Sequence, residues 1–132
     1  MMKSLWDFLD NRGDNAIKEW GVLQTKRDRA MLNQRFDRLV QVDFELAIGS
    51  KLLAGPVYGH IYKMQIHGDV QLRPMLCKGP VNNADEYTLL LGAVERDWKL
   101  VPASAKRDAE DNRKTVLASP LTRRKAYERI PK

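Results

Sequence analysis

The residues best suited to chemistry are two cations on neighbouring predicted strands. Residues 62–66 and 70–76 alternate between apolar and polar side chains, which is typical of two antiparallel β-strands joined by a turn at residues 67–69. A three-residue loop keeps both apolar sets on the core face and places Lys63 opposite Arg73. Directly opposed like charges repel, so such a pair favours a bound anion, for which phosphate oxygens are well matched. The alternative is that both side chains extend into water and that the pairing has no role.

Polar and titratable residues surround this predicted cation pair. A histidine can transfer protons near neutral pH, so His60 and His67 are candidates for a general acid or base. In a strand or a turn, however, a single histidine more often has a structural role. Gln65, Gln71 and Lys78 offer further hydrogen-bond donors to an anion beside the pair.

The composition disfavours most other kinds of site. Two histidines and the single cysteine, Cys77, do not have the spacing of a zinc site, and the scattered glycines do not form a phosphate-binding loop. Cys77 cannot form an internal disulfide, and it is more typical of a small buried hydrophobe than of a nucleophile. The apolar runs are too short to cross a membrane and the N-terminus is too polar for a secretion signal. We therefore expect a cytoplasmic protein that needs no cofactor.

Cleavage of RNA without a metal ion is the enzymatic chemistry that these residues can support. The 2′-hydroxyl of the substrate is already the nucleophile, so the protein needs cations to stabilise the pentacovalent phosphate and one group to move protons. We predict two sets of site residues on this basis. The candidate catalytic residues are Lys63, Arg73, Arg96, His60 and Tyr127. The candidate RNA-binding residues are Lys78, Gln65, Gln71, Lys99, Arg123 and Arg124.

The excess positive charge is confined to the C-terminal part of the chain. The formal net charge is +6 over 132 residues. Residues 1–95 contain 12 Lys/Arg and 12 Asp/Glu, whereas residues 96–132 contain 11 Lys/Arg and 5 Asp/Glu. Charge concentrated in one segment indicates an anionic partner such as nucleic acid, an acidic protein or an anionic surface. A solvated tail that maintains solubility explains the same pattern.

Residues 1–46 are expected to form two antiparallel helices. The apolar stretch at residues 6–9 is compatible with a short strand or with a helical turn. Asp14 or Asn15 can cap the first helix, and Thr25 opens a capping box for the second. The faces predicted to pack inward are Ile17, Trp20 and Leu23 on the first helix and Leu32, Phe36, Leu39 and Val40 on the second.

The rest of the chain is expected to form a sheet and then helices. Residues 87–94 are apolar on both faces, which is typical of a central strand covered on both sides. A helix is predicted over residues 105–116, and Ser119-Pro120 is typical of the start of a short basic helix. We expect a single α+β domain over residues 1–132, in which an N-terminal helical hairpin packs on a small, mainly antiparallel sheet. C-terminal helices follow, with residues 119–132 as a basic helical extension.

Three stretches of the chain carry a resemblance to a known family. They are Phe8-Leu9-Asp10 before the helices, Lys51-Leu52 with the strands at residues 61–66 and 71–73, and residues 89–96 with Pro102 and the helix from Ala105. Their order resembles the RelE/HigB superfamily of bacterial and phage toxins, especially its phage-derived HigB-like branch, over roughly residues 5–118. Members are typically ribosome-dependent mRNA endonucleases that an antitoxin encoded beside them holds silent.

The resemblance implies roles for individual residues. Lys63 falls where the family has a basic strand residue, Arg73 falls on its strand arginine, and Arg96 lies in its basic pair after the last strand. The chain departs from the pattern at Ala93, where the family has an aromatic residue, and at Glu95, where it has the first basic residue. The implied partners are mRNA, the ribosome and a cognate antitoxin, on a RelE-like fold.

Two hypotheses from different classes follow. The first is the toxin of a type II toxin–antitoxin system, acting as a metal-independent and ribosome-dependent mRNA endonuclease. The alternative is a non-catalytic protein of phage or mobile-element origin that binds nucleic acid or a partner through the same basic surface on the same fold. A toxin directed at a protein target and a purely structural protein complete the set.

Overall fold

A computed structural model describes residues 2–132, which form four α-helices and ten β-strands. The helices are α1 (Ala16–Val22), α2 (Lys26–Gln41), α3 (Phe44–Gly49) and α4 (Ala105–Ala118). The first five strands are β1 (Ser4–Phe8), β2 (Leu53–Tyr58), β3 (Ile61–Met64), β4 (Ile66–His67) and β5 (Gln71–Leu72). The others are β6 (Met75–Lys78), β7 (Glu86–Leu91), β8 (Val94–Arg96), β9 (Lys99–Val101) and β10 (Arg124–Ala126).

The strands form two sheets. The larger sheet has six strands in the order β10-β1-β7-β6-β3-β2, and it is mixed because β1 runs parallel to β7 while its other pairs are antiparallel. The smaller sheet is antiparallel, with the order β4-β5-β8-β9. The predicted central strand is confirmed for β7, whose residues Tyr87 to Leu90 are buried on both faces between β1 and β6.

The expected arrangement of helices and sheet is wrong, although the structure does contain both helices and sheets. The chain enters through β1, which lies inside the six-stranded sheet, and three helices follow it rather than an N-terminal hairpin of two. In place of one small sheet, the structure has a mixed sheet of six strands and a second, antiparallel sheet of four strands. The short apolar stretch at residues 4–8 is compatible with either a strand or a helical turn. Its parallel pairing with residues 86–89 is what makes it a strand. Local sequence patterns do not contain that pairing.

The C-terminal segment also differs from expectation. Instead of a basic helix after Ser119-Pro120, the chain makes a turn and forms β10, which pairs antiparallel with β1. The turn is closed by hydrogen bonds from the backbone N–H groups of Thr122 and Arg123 to Ser119 O. The basic tail is therefore an edge strand of the larger sheet and not a helical extension.

The helix caps and most of the core stripes agree with the sequence, but the inward packing predicted for Leu23 is wrong, because α1 ends at Val22 and Leu23 is 83% exposed. Asn15 accepts a hydrogen bond from the backbone N–H of Lys18, and Thr25 accepts one from that of Asp28. Leu32, Phe36 and Leu39 are buried against the larger sheet. Ala105, Ala109 and Val116 of α4 are buried in a second cluster on the other side, where small side chains allow the helix to approach β7 closely. No helix within residues 2–132 is both long and apolar enough to cross a membrane.

The register of the β4–β5 hairpin corrects the predicted cation pair. Ile66 lies opposite Leu72 and His67 opposite Gln71, and the same register continues into β3–β6, where Lys63 lies opposite Met75. The predicted pairing of Lys63 with Arg73 is therefore wrong.

The buried carboxylate of Asp28, on α2, explains the register. It accepts hydrogen bonds from the backbone N–H groups of Asp69 and Val70 and lies against Gly68 so closely that a Cβ there would clash. These contacts place the three-residue loop at residues 68–70, one position later than the alternation predicts.

Candidate functional site

A row of polar side chains crosses the smaller sheet. His67 on β4 lies opposite Gln71 on β5, and Gln71 lies opposite Glu95 on β8. Residues opposite one another on adjacent strands share a face, so the three side chains form one line across three strands. The next row, Ile66, Leu72 and Val94, is buried on the other face. Apolar packing below the sheet thus holds the polar row above it.

Arg73 lies at the same face, two residues beyond Gln71. Its backbone N–H donates to Ala93 O at 2.8 Å, and its Nη1 donates to Leu72 O at 2.9 Å. Its Nε lies 3.5 Å from Glu95 Oε1, without a hydrogen bond to any group among residues 2–132. The residue is only 4% exposed. A buried guanidinium with an unused Nε–H and a single ion-pair partner is a candidate for anion binding.

A basic recess of 370 Å³ adjoins the row on the α2 side. Arg35 and Arg38 project from α2, and Lys51 follows α3 with its backbone in the left-handed region at φ +64°. Ser50, Leu52, Gln65 and His67 complete the lining. Within residues 2–132, the cations Arg35, Arg38 and Lys51 form no ion pair, so the recess keeps its positive charge.

A second recess, of 440 Å³, lies on the β8–β9 side. It is lined by His67, Gln71, Arg73, Glu95, Asp97 and Trp98. His67 lines both recesses, which therefore lie next to each other on one surface with His67 between them. We call this surface the His67 groove. Its α2 side carries cations, whereas its β8–β9 side combines Arg73 with two carboxylates and an indole.

The turn between β8 and β9 forms the outer wall of the His67 groove. Arg96 lies opposite Lys99, so Asp97 and Trp98 are the two central residues of a tight hairpin turn. Both have a left-handed backbone, at φ +51° and +66°. The indole of Trp98 is 94% exposed.

Some of the predicted site residues meet at this groove. Gln65, Gln71 and Arg73 line it. Arg96 and Lys99 are exposed at its outer wall, on either side of the turn. The strand cation Lys63 lines neither recess, because its register places it between Ala54 and Met75 in the larger sheet.

Two other predicted residues lie in a separate hollow of 310 Å³. His60 and Lys78 line it together with Tyr62, Arg113 and Leu117. The Nδ1 of His60 lies 3.9 Å from Glu110 Oε1, and the Nζ of Lys78 lies 4.1 Å from the centre of the Phe44 ring. Neither residue belongs to the His67 groove.

The aromatic and cationic side chains at residues 123–127 form contacts that stabilise the fold rather than a site. The hydroxyl of Tyr127 donates to Asn33 Oδ1 at 2.5 Å, and burial raises its pKa above the ordinary value, so this phenol stays protonated at neutral pH. Arg124 pairs with Glu86 at 2.6 Å and stacks on Trp6, at 4.0 Å from the ring centre.

Arg123 is held in the same way. Its Nε donates to Leu9 O at 3.1 Å, and its guanidinium lies over the Phe8 ring. Cys77 is buried, as the sequence predicts, and burial raises the pKa of its thiol to about 12, which keeps it protonated.

Sequence reasoning missed the cations of the α2 side and the role of the turn. Arg35 and Arg38 are three residues apart on the polar face of α2, and that spacing was a visible signal for two cations on one helix face. Lys51 and Trp98 had no such signal, because only the tertiary fold brings their loops to β4 and β5. The candidate catalytic residues named from the sequence include His60 and not His67, although only His67 lines the groove.

The groove combines cations with one residue able to move protons. Within residues 2–132, no group of three or more His, Cys, Asp or Glu side chains is placed to hold a metal ion. No protein-family model, curated protein or solved structure matches the chain. What the groove does must therefore be inferred from its own chemistry.

Proposed function

We propose that this protein is an RNA endonuclease that works without a metal ion, and that it is the toxin of a type II toxin–antitoxin system. The observation that carries the proposal is the position of His67, where a basic recess meets the face holding the buried Arg73. An RNA backbone in the groove would place phosphates beside cations and one phosphate beside a proton carrier.

Binding comes first in the mechanism. The unpaired cations Arg35, Arg38 and Lys51 attract the phosphates of an RNA strand into the recess on the α2 side. At the reacting phosphate, Arg73 donates hydrogen bonds to the non-bridging oxygens. Because its guanidinium is already fixed by Leu72 O and by Glu95, it needs little reorganisation as negative charge grows on the pentacovalent phosphate.

Proton transfer is the role of His67. The 2′-oxygen attacks the phosphorus and its proton passes to a base, while the bond from phosphorus to the 5′-oxygen breaks and that oxygen takes up a proton. The products are a 2′,3′-cyclic phosphate and a free 5′-hydroxyl. His67 can serve either transfer, since an imidazole gains and loses a proton near neutral pH.

The wider role rests on the resemblance of the sequence to RelE/HigB toxins. It implies that the substrate is mRNA on the ribosome and that a cognate antitoxin covers the groove until it is degraded. Action on ribosomes places the protein in the cytoplasm. The net charge of +6 favours association with ribosomal RNA as well as with the substrate.

The test is induced expression followed by mapping of mRNA 5′ ends. The wild type should arrest growth and create new ends inside coding sequences. The His67→Ala variant should create none, and His60→Ala is the matched control because its imidazole lies in the separate hollow. Undiminished mRNA cleavage by a folded His67→Ala variant would show that the site is wrong.

A non-catalytic nucleic-acid-binding protein is the second candidate, and Glu95 favours it. This carboxylate faces Arg73 and offsets part of the positive charge that a nuclease would direct at the phosphate. A binder of this kind would bind RNA with a steep dependence on salt but would leave mRNA on translating ribosomes intact.

A further inference from the structure

The β8–β9 turn displays an aromatic residue that the fold does not use. Trp98 is 94% exposed, whereas the other two tryptophans pack within the protein, Trp6 beneath Arg124 and Trp20 against Gly92. An exposed indole contributes nothing to the core and exposes apolar surface to water. Because Trp98 also lines the His67 groove, this free aromatic face is available to a ligand there.

The backbone at this turn is held in an uncommon conformation. Two-residue hairpin turns with both central residues in the left-handed region favour Asn-Gly or Asp-Gly. Here the second position is Trp98, at φ +66°, and a bulky side chain in that region is a marked departure from common backbone geometry. Such departures cluster at sites where ligands bind, because only the surrounding structure maintains them.

The charges around the indole divide the groove into two functional halves. Phosphates are attracted to Arg35, Arg38 and Lys51, on the far side of His67. On the near side, Arg73 is the one cation for a phosphate, and the carboxylates of Glu95 and Asp97 disfavour further phosphates but can accept hydrogen bonds from the N–H groups of a nucleobase edge. A neutral base therefore suits the half that contains the indole.

We infer that Trp98 is a stacking platform for one unpaired nucleobase next to the phosphate at Arg73, and that the protein acts on single-stranded RNA. This inference rests on the proposed function. Stacking of a base on an aromatic ring is the usual way in which proteins hold single-stranded RNA, since every base offers a π-face. In a duplex that face is covered by the neighbouring base pairs, so the indole has nothing to stack on.

Binding of short RNA to Trp98 variants tests this directly. The ligands are a single-stranded 2′-O-methyl RNA 12-mer, which cannot be cleaved, the same strand in a duplex, and 12-mers with one abasic site moved along the sequence. Affinity is measured by fluorescence anisotropy for the wild type and for Trp98→Ala, Trp98→Phe and Trp98→Leu. Thermal melting checks that the variants fold, which an exposed side chain should not affect.

Stacking predicts a specific pattern of affinities. Trp98→Ala should weaken binding of the single strand roughly 5- to 150-fold, the equivalent of about 1–3 kcal/mol for one stacked base, and should leave the salt dependence unchanged. Trp98→Phe should retain most of the affinity and Trp98→Leu should not. One abasic position should weaken the wild type but not Trp98→Ala.

The outcomes separate this inference from the proposed function. Equal affinity of wild type and Trp98→Ala, with RNA still bound through Arg35 and Arg38, overturns the stacking platform alone. Equal performance of Trp98→Leu and Trp98→Phe also overturns it, because an aliphatic side chain cannot stack. Wild-type protein that neither binds RNA nor cleaves mRNA overturns both proposals.

Discussion

His67 and Gln71 face each other across the β4–β5 hairpin, and the Nδ1 of the imidazole is hydrogen-bonded to the Oε1 of the amide. With the amide oxygen as acceptor, Nδ1 carries the proton and Nε2 of the neutral ring carries the free lone pair. Gln71 therefore sets both the orientation and the tautomer of the only imidazole in the groove among residues 2–132. This is the arrangement that a proton carrier requires.

Replacing Gln71 should slow cleavage without weakening RNA binding. In Gln71→Leu, the imidazole of His67 loses the acceptor that fixes its ring, so we expect kcat for RNA cleavage to fall roughly 10- to 100-fold while KM stays the same. Gln65→Leu is the matched control, since Gln65 lines the groove but its side chain forms no hydrogen bond with His67. Equal loss of rate in both variants would argue against a positioning role for Gln71.

The cations of α2 should contribute through phosphate contacts alone. In Arg35→Ala/Arg38→Ala, two phosphates lose their partners, so the slope of log affinity against log salt for single-stranded RNA should become less steep by about 1.4. The control is Arg107→Ala/Lys114→Ala, which removes the same charge from exposed positions of α4 outside the groove. An equal change in slope for the control would mean that net charge, and not the groove, drives binding.

The buried carboxyl of Asp7 should make stability fall as pH rises. Burial on β1 raises the pKa of Asp7 from 3.8 to about 6, although hydrogen bonds from Asn15 Nδ2 and the backbone N–H of Glu128 act to lower it. The folded state therefore retains a proton between pH 4 and 6 that the unfolded state loses, so the free energy of unfolding decreases across this window. Asp7→Asn does not titrate, and it should be more stable than the wild type above pH 6, by up to about 3 kcal/mol.

Urea unfolding between pH 4.5 and 7.5 measures this effect, and Asp10→Asn provides a control of opposite sign. Hydrogen bonds from the backbone N–H groups of Asp14 and Arg12 hold the pKa of Asp10 below its ordinary value. That variant should be less stable than the wild type, and the difference should stay constant from pH 7.5 to 4.5, because this carboxyl takes up its proton only below that range. A constant advantage of Asp7→Asn at every pH would contradict the titration of Asp7.

The attachment of β10 to the larger sheet should depend on the ion pair between Arg124 and Glu86. Both side chains are nearly buried, at 7% and 9% exposure, so removing the guanidinium leaves an uncompensated carboxylate inside the protein. Arg124→Ala should lower the free energy of unfolding by about 3–5 kcal/mol. In contrast, Arg129→Ala breaks an exposed pair with Asp37 and should cost less than about 1 kcal/mol.

Chemical denaturation of both arginine variants and of Arg124→Ala/Glu86→Gln measures these differences. The double variant should recover part of the lost stability, because it removes the unpaired charge. Similar small losses for Arg124→Ala and Arg129→Ala would mean that β10 is not anchored by this pair.

Local sequence patterns predicted the elements that local interactions form. The caps at Asn15 and Thr25, the stripe of Leu32, Phe36 and Leu39, and the small-residue face of α4 each involve residues within a few positions of one another. Helical periodicity and capping operate at that range, so they can be read directly from the sequence. The doubly buried strand β7 was also visible, because its apolar run is continuous.

Contacts between distant segments decided the rest. The carboxylate of Asp28 reaches from α2 to the 68–70 loop and sets the register that separates Lys63 from Arg73. The pairing of β1 with β7 and β10 turned a short apolar stretch and a basic tail into strands.

The sequence by itself determined which residues have the chemistry to hold phosphate and move protons, since that depends only on side-chain type. Only the tertiary structure decided which of them meet. His67 lies in the same groove as Arg35, Lys51 and Arg73, whereas His60 lies in a separate hollow. The physical reason is that cross-strand register and loop packing depend on contacts between residues far apart in the chain, and no local periodicity records them.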